Sequence, residues 1–102
     1  MDINKLFNID GKIALITGGS RGIGEMIAAG FLANGVKVYI TARKEAPLIE
    51  KAKELSEKFN GECIAIPCDL SNMEGIQKLA SDYLNHEDSL DILVNNAGAA
   101  WG

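Results

Sequence analysis

Three glycines spaced Gly18-x3-Gly22-x-Gly24 lie between an apolar run ending at Thr17 and a helical pattern starting at Gly22. No other feature restricts the fold as much, because such a loop needs a strand before it and a helix N-terminus after it. Gly18 lets the chain turn off the strand where a Cβ would clash. Gly22 keeps the backbone bare where a pyrophosphate approaches, and Gly24 lets the first helical turn pack tightly. The helix start then offers unpaired N–H groups and a partial positive charge to an anion. A turn with only a folding role is the plainer reading of these glycines. Their place at the first strand-to-helix junction favours a dinucleotide loop instead. Neither Lys nor Ser/Thr follows Gly24 to hold magnesium and a γ-phosphate, so a nucleotide-hydrolysing P-loop is disfavoured.

Strand and helix signals alternate along the chain. Lys12 to Thr17 reads as a buried strand, and Gly22 to Asn34 as a helix with Ile23, Ile27, Gly30 and Phe31 at helical spacing. Val36 to Thr41 is rich in β-branched and aromatic residues, a second strand. Pro47 suits the first turn of a helix whose inner face is Leu48, Ala52, Leu55 and Phe59, closed by Asn60-Gly61. Glu62 to Cys68 is a third strand, with Ile64, Ile66 and Cys68 sharing a face. Ser71 or Asn72 caps a helix with Ile76, Leu79, Ala80, Tyr83 and Leu84 on its inner stripe. Leu90 to Asn95 is the fourth strand. This β-α period of about 25 to 30 residues belongs to parallel βαβ construction, an α/β fold. Strands joined through helices run parallel, so the glycine-bearing loops gather at the carboxyl end of the sheet, where ligands bind.

Charge and cysteine content narrow the function classes. The net charge is −4, without clustered Lys and Arg, so no nucleic-acid partner is expected. The apolar runs Ile13 to Ile16 and Leu90 to Val94 fall far short of the about 20 residues of a membrane span. Met1 to Phe7 contains no secretory h-region, and a cytoplasmic location is the default expectation. Cys63 and Cys68, five apart on one strand, face opposite ways and lie roughly 16 Å apart. A disulfide needs Cα atoms within about 7 Å, so both read as packing residues, and no metal site is expected. The single histidine, His86, reads as surface.

Together Thr17-Gly18-Gly19-Ser20-Arg21-Gly22-Ile23-Gly24, Cys68-Asp69-Leu70 and Asn95-Asn96-Ala97-Gly98 resemble the landmarks of the short-chain dehydrogenase/reductase family, in family order. Gly11-Lys12-Ile13-Ala14-Leu15-Ile16-Thr17 is similar too. The resemblance implies a Rossmann-type doubly wound parallel sheet with strand order 3-2-1-4, of which residues 1–102 are the N-terminal cofactor-binding portion. It implies an NAD(P)-dependent oxidoreductase, commonly a homotetramer. Cofactor contacts are implied for Gly18, Ser20, Arg21, Gly22, Ile23 and Gly24 of the loop. Asp69 with the Leu70 backbone is placed at the adenine, and Asn95, Ala97 and Gly98 at the ribose and nicotinamide side. Without the resemblance, Asp69 would be a strand-end carboxylate capping a turn. The wording of Cys63-Ile64-Ala65-Ile66-Pro67 and Ala99-Ala100-Trp101-Gly102 looks most like 3-oxoacyl-carrier-protein reductases, including those tied to rhamnolipid-type acyl chains.

The second strand selects the cofactor. NAD sites place an Asp or Glu at its end for the ribose 2′-hydroxyl. Here the stretch is Tyr39-Ile40-Thr41-Ala42-Arg43-Lys44, without an acid, and the resemblance puts Arg21 near the same ribose. Two guanidinium groups make charge-assisted, bidentate hydrogen bonds to a 2′-phosphate. Each pair is worth on the order of 4 kcal/mol gross. A residual of about 1.4 kcal/mol already gives about tenfold preference. NADP(H) is the expected cofactor; the plainer reading leaves Arg43 and Lys44 as a solvated pair.

Catalysis is another matter. In the family, a Tyr with a Lys four residues on, and a nearby Ser and Asn, deliver the proton. Tyr39 has Arg43 at that position and Tyr83 has Glu87, so no catalytic residue is expected in residues 1–102. Strand 4 would be a bare hydrophobic edge, which suggests the N-terminal part of a longer reductase acting on a carbonyl or acyl-thioester substrate. Taken literally, the chain also suits a second class, a non-catalytic regulatory or interaction module that binds NADP(H).

Overall fold

Four short, mostly apolar runs, Ile13–Thr17 (β1), Lys37–Ala42 (β2), Cys63–Pro67 (β3) and Ile92–Asn95 (β4), form one sheet in the order β3-β2-β1-β4. The structure is a computed structural model and describes residues 9–96. Gly22–Ala33 (α1), Glu45–Phe59 (α2) and Met73–Leu84 (α3) are the connecting helices. Each return passes through a helix, so β1 pairs in parallel with both β2 and β4, and β2 with β3. The strand order and class are those the resemblance implies.

Strand alternation sorts the apolar side chains into two cores. Ala14, Ile16, Val38, Ile40 and Cys63 pack under α1 and α2 with Ala28, Leu32, Leu48, Ala52 and Leu55. Leu15, Tyr39, Ile66 and Cys68 pack under α3 with Leu79 and Tyr83. Helices on both faces make the sheet doubly wound. Cys63 and Cys68 are free, buried and in different cores. Burial pushes the Cys63 thiol up to about 12 and raises Cys68 as well, so both act as small apolar residues.

Caps and crosslinks set the helix ends. Asn60 takes the left-handed conformation (φ +50°) that ends α2, and its N–H bonds to Ser56 O. The Ser56 hydroxyl accepts the Cys63 N–H at 2.9 Å and donates to the Cys63 carbonyl at 3.1 Å, tying the end of α2 to the start of β3. Lys51 on α2 reaches Glu25 on α1 at 3.3 Å.

Three local features differ from the expectation. Helix α1 buries Gly24, Ala28 and Leu32, whereas Ile23 and Gly30 are exposed and Ile27 and Phe31 only partly covered. Helix α3 buries Gly75, Leu79 and Tyr83, leaving Ile76, Ala80 and Leu84 exposed. In both, a glycine in the first turn presses on backbone and sets the helix rotation, so the smallest residue, not the largest, marks the inner face. Strand β4 starts at Ile92 rather than Leu90. There the Asp91 carboxylate accepts the Ile13 N–H at 2.9 Å, taking the place of a ladder carbonyl. Leu93 of β4 is exposed on the α3 side of the sheet, next to Leu15 in the register.

The segment between α3 and β4 is held by a polar cluster beside the first half of β2. Buried Tyr39 donates its hydroxyl to Glu87, and Lys37 pairs with the same carboxylate. The Tyr83 ring meets Tyr39 edge-on at 5.1 Å, and its hydroxyl donates to Ser89 O. His86 is exposed just beyond α3, its ring 5.8 Å from Tyr39.

Glu87→Gln is expected to lower the unfolding free energy near neutral pH by about 1–3 kcal/mol in urea denaturation, because a charge-assisted pair is lost. The Lys37 and Tyr39 hydrogen bonds hold the Glu87 carboxyl below the usual carboxylate range. Its contribution is therefore full above that range and fades as the pH falls through the depressed value. The gap between wild type and Glu87→Gln is expected to narrow as the solution is acidified; a constant gap would contradict the assignment.

Candidate functional site

Strand β1 ends at Thr17, and the chain turns at Gly18 with φ +69°. The Gly18 N–H donates to Thr41 O on β2 at 3.0 Å, so the loop lies over the neighbouring strand end. Gly19 lies so close to β2 that a Cβ there would stand 2.5 Å from Ile40 Cγ2. The Thr17 hydroxyl reaches the other neighbour, with Asn95 Oδ1 at 3.1 Å and Val94 O at 3.3 Å as acceptors. It also accepts the Asn96 N–H at 2.8 Å. Asn96 Nδ2 then donates to Gly18 O at 3.3 Å.

Gly24 closes this arrangement. A Cβ there would sit 2.2 Å from Gly18 O and 2.8 Å from Asn96 Nδ2, so only glycine lets α1 start this close to the turn. Gly22 is different in kind. Its φ is +63°, and nothing lies within 4 Å of where its Cβ would be. Gly24 serves packing; Gly22 keeps an open surface. Arg21 occupies the N-cap in extended conformation without a side-chain cap bond. The first-turn N–H groups of α1 lack intrahelical acceptors by geometry, and Gly22 beside them leaves the backbone uncovered. Such a cradle of N–H donors, with the positive helix end behind it, fits a pyrophosphate.

The next two strand ends extend the edge. Strand β2 finishes at Ala42, followed by exposed Arg43 and by Lys44, the N-cap of α2. No carboxylate stands at its end. The Cys68 N–H donates to Ala42 O at 3.0 Å and carries the β3 pairing up to Asp69. Asp69 Oδ1 accepts the Ser71 N–H at 2.9 Å. These Ser71 hydrogen bonds hold the Asp69 carboxyl below its usual range, and the charge of Arg43 adds to the effect. The turn-capping role is thus present in the structure, and it places Asp69 within the field of Arg43.

Gly18, Ser20, Arg21, Gly22, Ile23, Gly24, Arg43, Asp69, Leu70 and Asn95 therefore follow or end four adjacent strands on one edge. Ala97 and Gly98 lie outside the described residues. Gly19, Thr17 and Asn96 stand among the landmarks without an expected site contact, and Gly75 is a contributor the sequence reading does not single out. For Gly19 a fourth glycine in the loop was a signal; for Gly75 a single glycine in a helical stretch gave little. The two tyrosines are spent elsewhere, on Glu87 and Ser89. Burial, then the hydrogen bond to Glu87, pushes Tyr39 up to about 12, opposite to what a neutral-pH proton donor needs.

Comparison with known proteins agrees with this fold. The family model for short chain dehydrogenase matches residues 12–102. The chain is 50% identical over 96 residues to a rhamnolipids biosynthesis 3-oxoacyl-[acyl-carrier-protein] reductase of Pseudomonas aeruginosa, covering 94% of this chain and 37% of that protein. It is 42% identical over 91 residues to a fatty acyl-CoA reductase of Acinetobacter baylyi, covering 89% and 30%. Among solved structures, the RhlG/NADP active-site complex of Pseudomonas aeruginosa superposes with TM-score 0.84 at 49% identity, covering 88% of this chain and 36% of that one. An L-sorbose reductase of Gluconobacter frateurii complexed with NADPH and L-sorbose gives TM-score 0.83 at 38% identity, covering 87% and 34%. The chain spans about a third of the length of the curated relatives it matches. No helix among the described residues is long and apolar enough to cross a membrane.

The two glycines separate on substitution. Gly22→Ala is expected to cost about 1–2 kcal/mol, the price of a left-handed backbone for an L-residue with free space around it. Gly24→Ala is expected to cost about 3 kcal/mol or more, since backbone must move to admit the methyl. Guanidinium denaturation of both variants tests the order; equal losses would contradict it.

Proposed function

The chain belongs to the short-chain dehydrogenase/reductase family, and we propose that its carboxyl-edge loops hold NADP(H) for hydride exchange with a carbonyl or alcohol substrate. The observation that carries this reading is the uncapped N-terminus of α1, opened at Gly22 and flanked by Arg21. The pyrophosphate is assigned to the N–H groups of the first turn of α1, with Gly18, Ser20, Ile23 and Gly24 shaping the cradle. Arg21 and Arg43 take the 2′-phosphate, and the lack of an acid from Tyr39 to Lys44 removes the repulsion that an NAD-type carboxylate would exert. Asp69 and Leu70 are assigned to the adenine, and Asn95, Ala97 and Gly98 to the ribose and nicotinamide side. The cofactor, when bound, supplies the hydride; the residues assigned above bind and orient it.

A 3-oxoacyl thioester is the proposed substrate class of the whole protein, supported by the likeness to the acyl-carrier-protein and acyl-CoA reductases. A homotetramer in the cytoplasm is the assembly the family suggests. A second reading, an NADP(H)-binding module without turnover, is favoured by both tyrosines lacking a Lys four residues on and being hydrogen-bonded elsewhere.

Fluorescence titration of the chain with NADPH and NADH is expected to show at least tenfold tighter binding of NADPH, and Arg43→Asp to reverse the preference. Equal affinities would sink the cofactor assignment. Oxidation of NADPH by the intact protein with acetoacetyl thioesters decides between enzyme and module: turnover supports the reductase, binding without turnover the module.

A further inference from the structure

Beyond β3, the path of the Asp69–Leu70 backbone is set by a small knot with Ser71, Asn72 and Gly75, three residues outside the family landmarks. Asp69 Oδ1 accepts the Ser71 N–H at 2.9 Å. Asn72 Oδ1 accepts the Gly75 N–H at 2.8 Å and caps α3. Gly75 is buried, and a Cβ there would lie 1.5 Å from the carbonyl oxygen of Asp69 and 2.6 Å from its carbon. The first turn of α3 thus rests directly on the Asp69 peptide. Backbone on both sides leaves no side-chain tip to swing away.

Which side yields to an added methyl follows from the anchoring of each. Helix α3 is fastened by Leu79 and Tyr83 in the core with Leu15, Tyr39 and Ile66, and by the Tyr83 hydroxyl on Ser89. Asp69 and Leu70 are only partly buried, on a turn at the open edge of the sheet. A methyl at position 75 therefore displaces the turn toward the ligand side and leaves the helix in place. We infer that Gly75 is a positioning residue for the cofactor: lacking a side chain, it lets α3 press the Asp69–Leu70 backbone into the place where it meets the adenine. The inference rests on the NADP(H) reading above, and it deepens it by adding a residue that touches no part of the ligand.

The test uses the full chain and 2′,5′-ADP, the adenine half of the cofactor, followed by calorimetry and by amide NMR shifts. Gly75→Ala is expected to weaken 2′,5′-ADP tenfold or more and to shift the Asp69, Leu70 and Ser71 amides. Asn72→Ala, which removes the cap but adds no bulk, is expected to weaken it about threefold, and Asn72→Asp, which keeps the acceptor, to restore it. Glu87→Gln lowers stability at the far end of β2 and is expected to leave affinity within twofold. If Gly75→Ala does not fold, the Asn72 pair decides. Affinity unchanged in Asn72→Ala and in Gly75→Ala, or an equal loss in Glu87→Gln, overturns the role of Gly75 alone. A wild-type chain that binds no 2′,5′-ADP overturns the cofactor reading and this role with it.

Discussion

The site depends on one close approach, that of Gly24 to the carbonyl of Gly18. A helix can start immediately above a strand end only if nothing projects between them, and a Cβ would stand 2.2 Å from that oxygen. Thr17, Asn95 and Asn96 reinforce the contact from the side of β4, through a hydroxyl that both donates and accepts. The first turn of α1 is thereby fixed over the sheet, and with it the direction in which its unpaired N–H groups point. An anion cradle needs such rigidity, because donors that must be ordered on binding lose affinity to entropy.

The two ends of the sheet are built for different tasks. At the carboxyl end, polar groups are left available: the helix start has no side-chain cap and Arg43 is exposed. Beside the first half of β2, polar groups are consumed: Lys37, Tyr39 and Glu87 satisfy one another, and Tyr83 reaches Ser89. A buried phenol left without a partner would cost stability, so this cluster has to be closed. The same closure occupies both tyrosine hydroxyls.

Much of this was legible before the fold was known. The glycine spacing, the strand-helix alternation and the inner face Leu48, Ala52 and Leu55 of α2 all match the structure. That helix is amphipathic, so period alone names its buried side. On α1, which is apolar on most sides, period gave Ile23 and Ile27, while the buried stripe is Gly24, Ala28 and Leu32. On α3 the apolar set was too wide, and Ile76 and Leu84 turned out exposed. In both helices the face was chosen by a backbone contact, and hydrophobicity carries no record of that.

The sequence by itself determined the parallel α/β class, the place of the loops at the carboxyl edge and the lack of an acid from Tyr39 to Lys44. These follow from spacing and residue type, which act locally. Only the tertiary structure decided that Gly24 and Gly75 are packing glycines whereas Gly22 is an open one, that Asp91 completes the pairing at the start of β1, and that Glu87 binds Tyr39. Each joins groups far apart along the chain, or depends on the distance between two backbones. Such distances are set when the helices dock on the sheet.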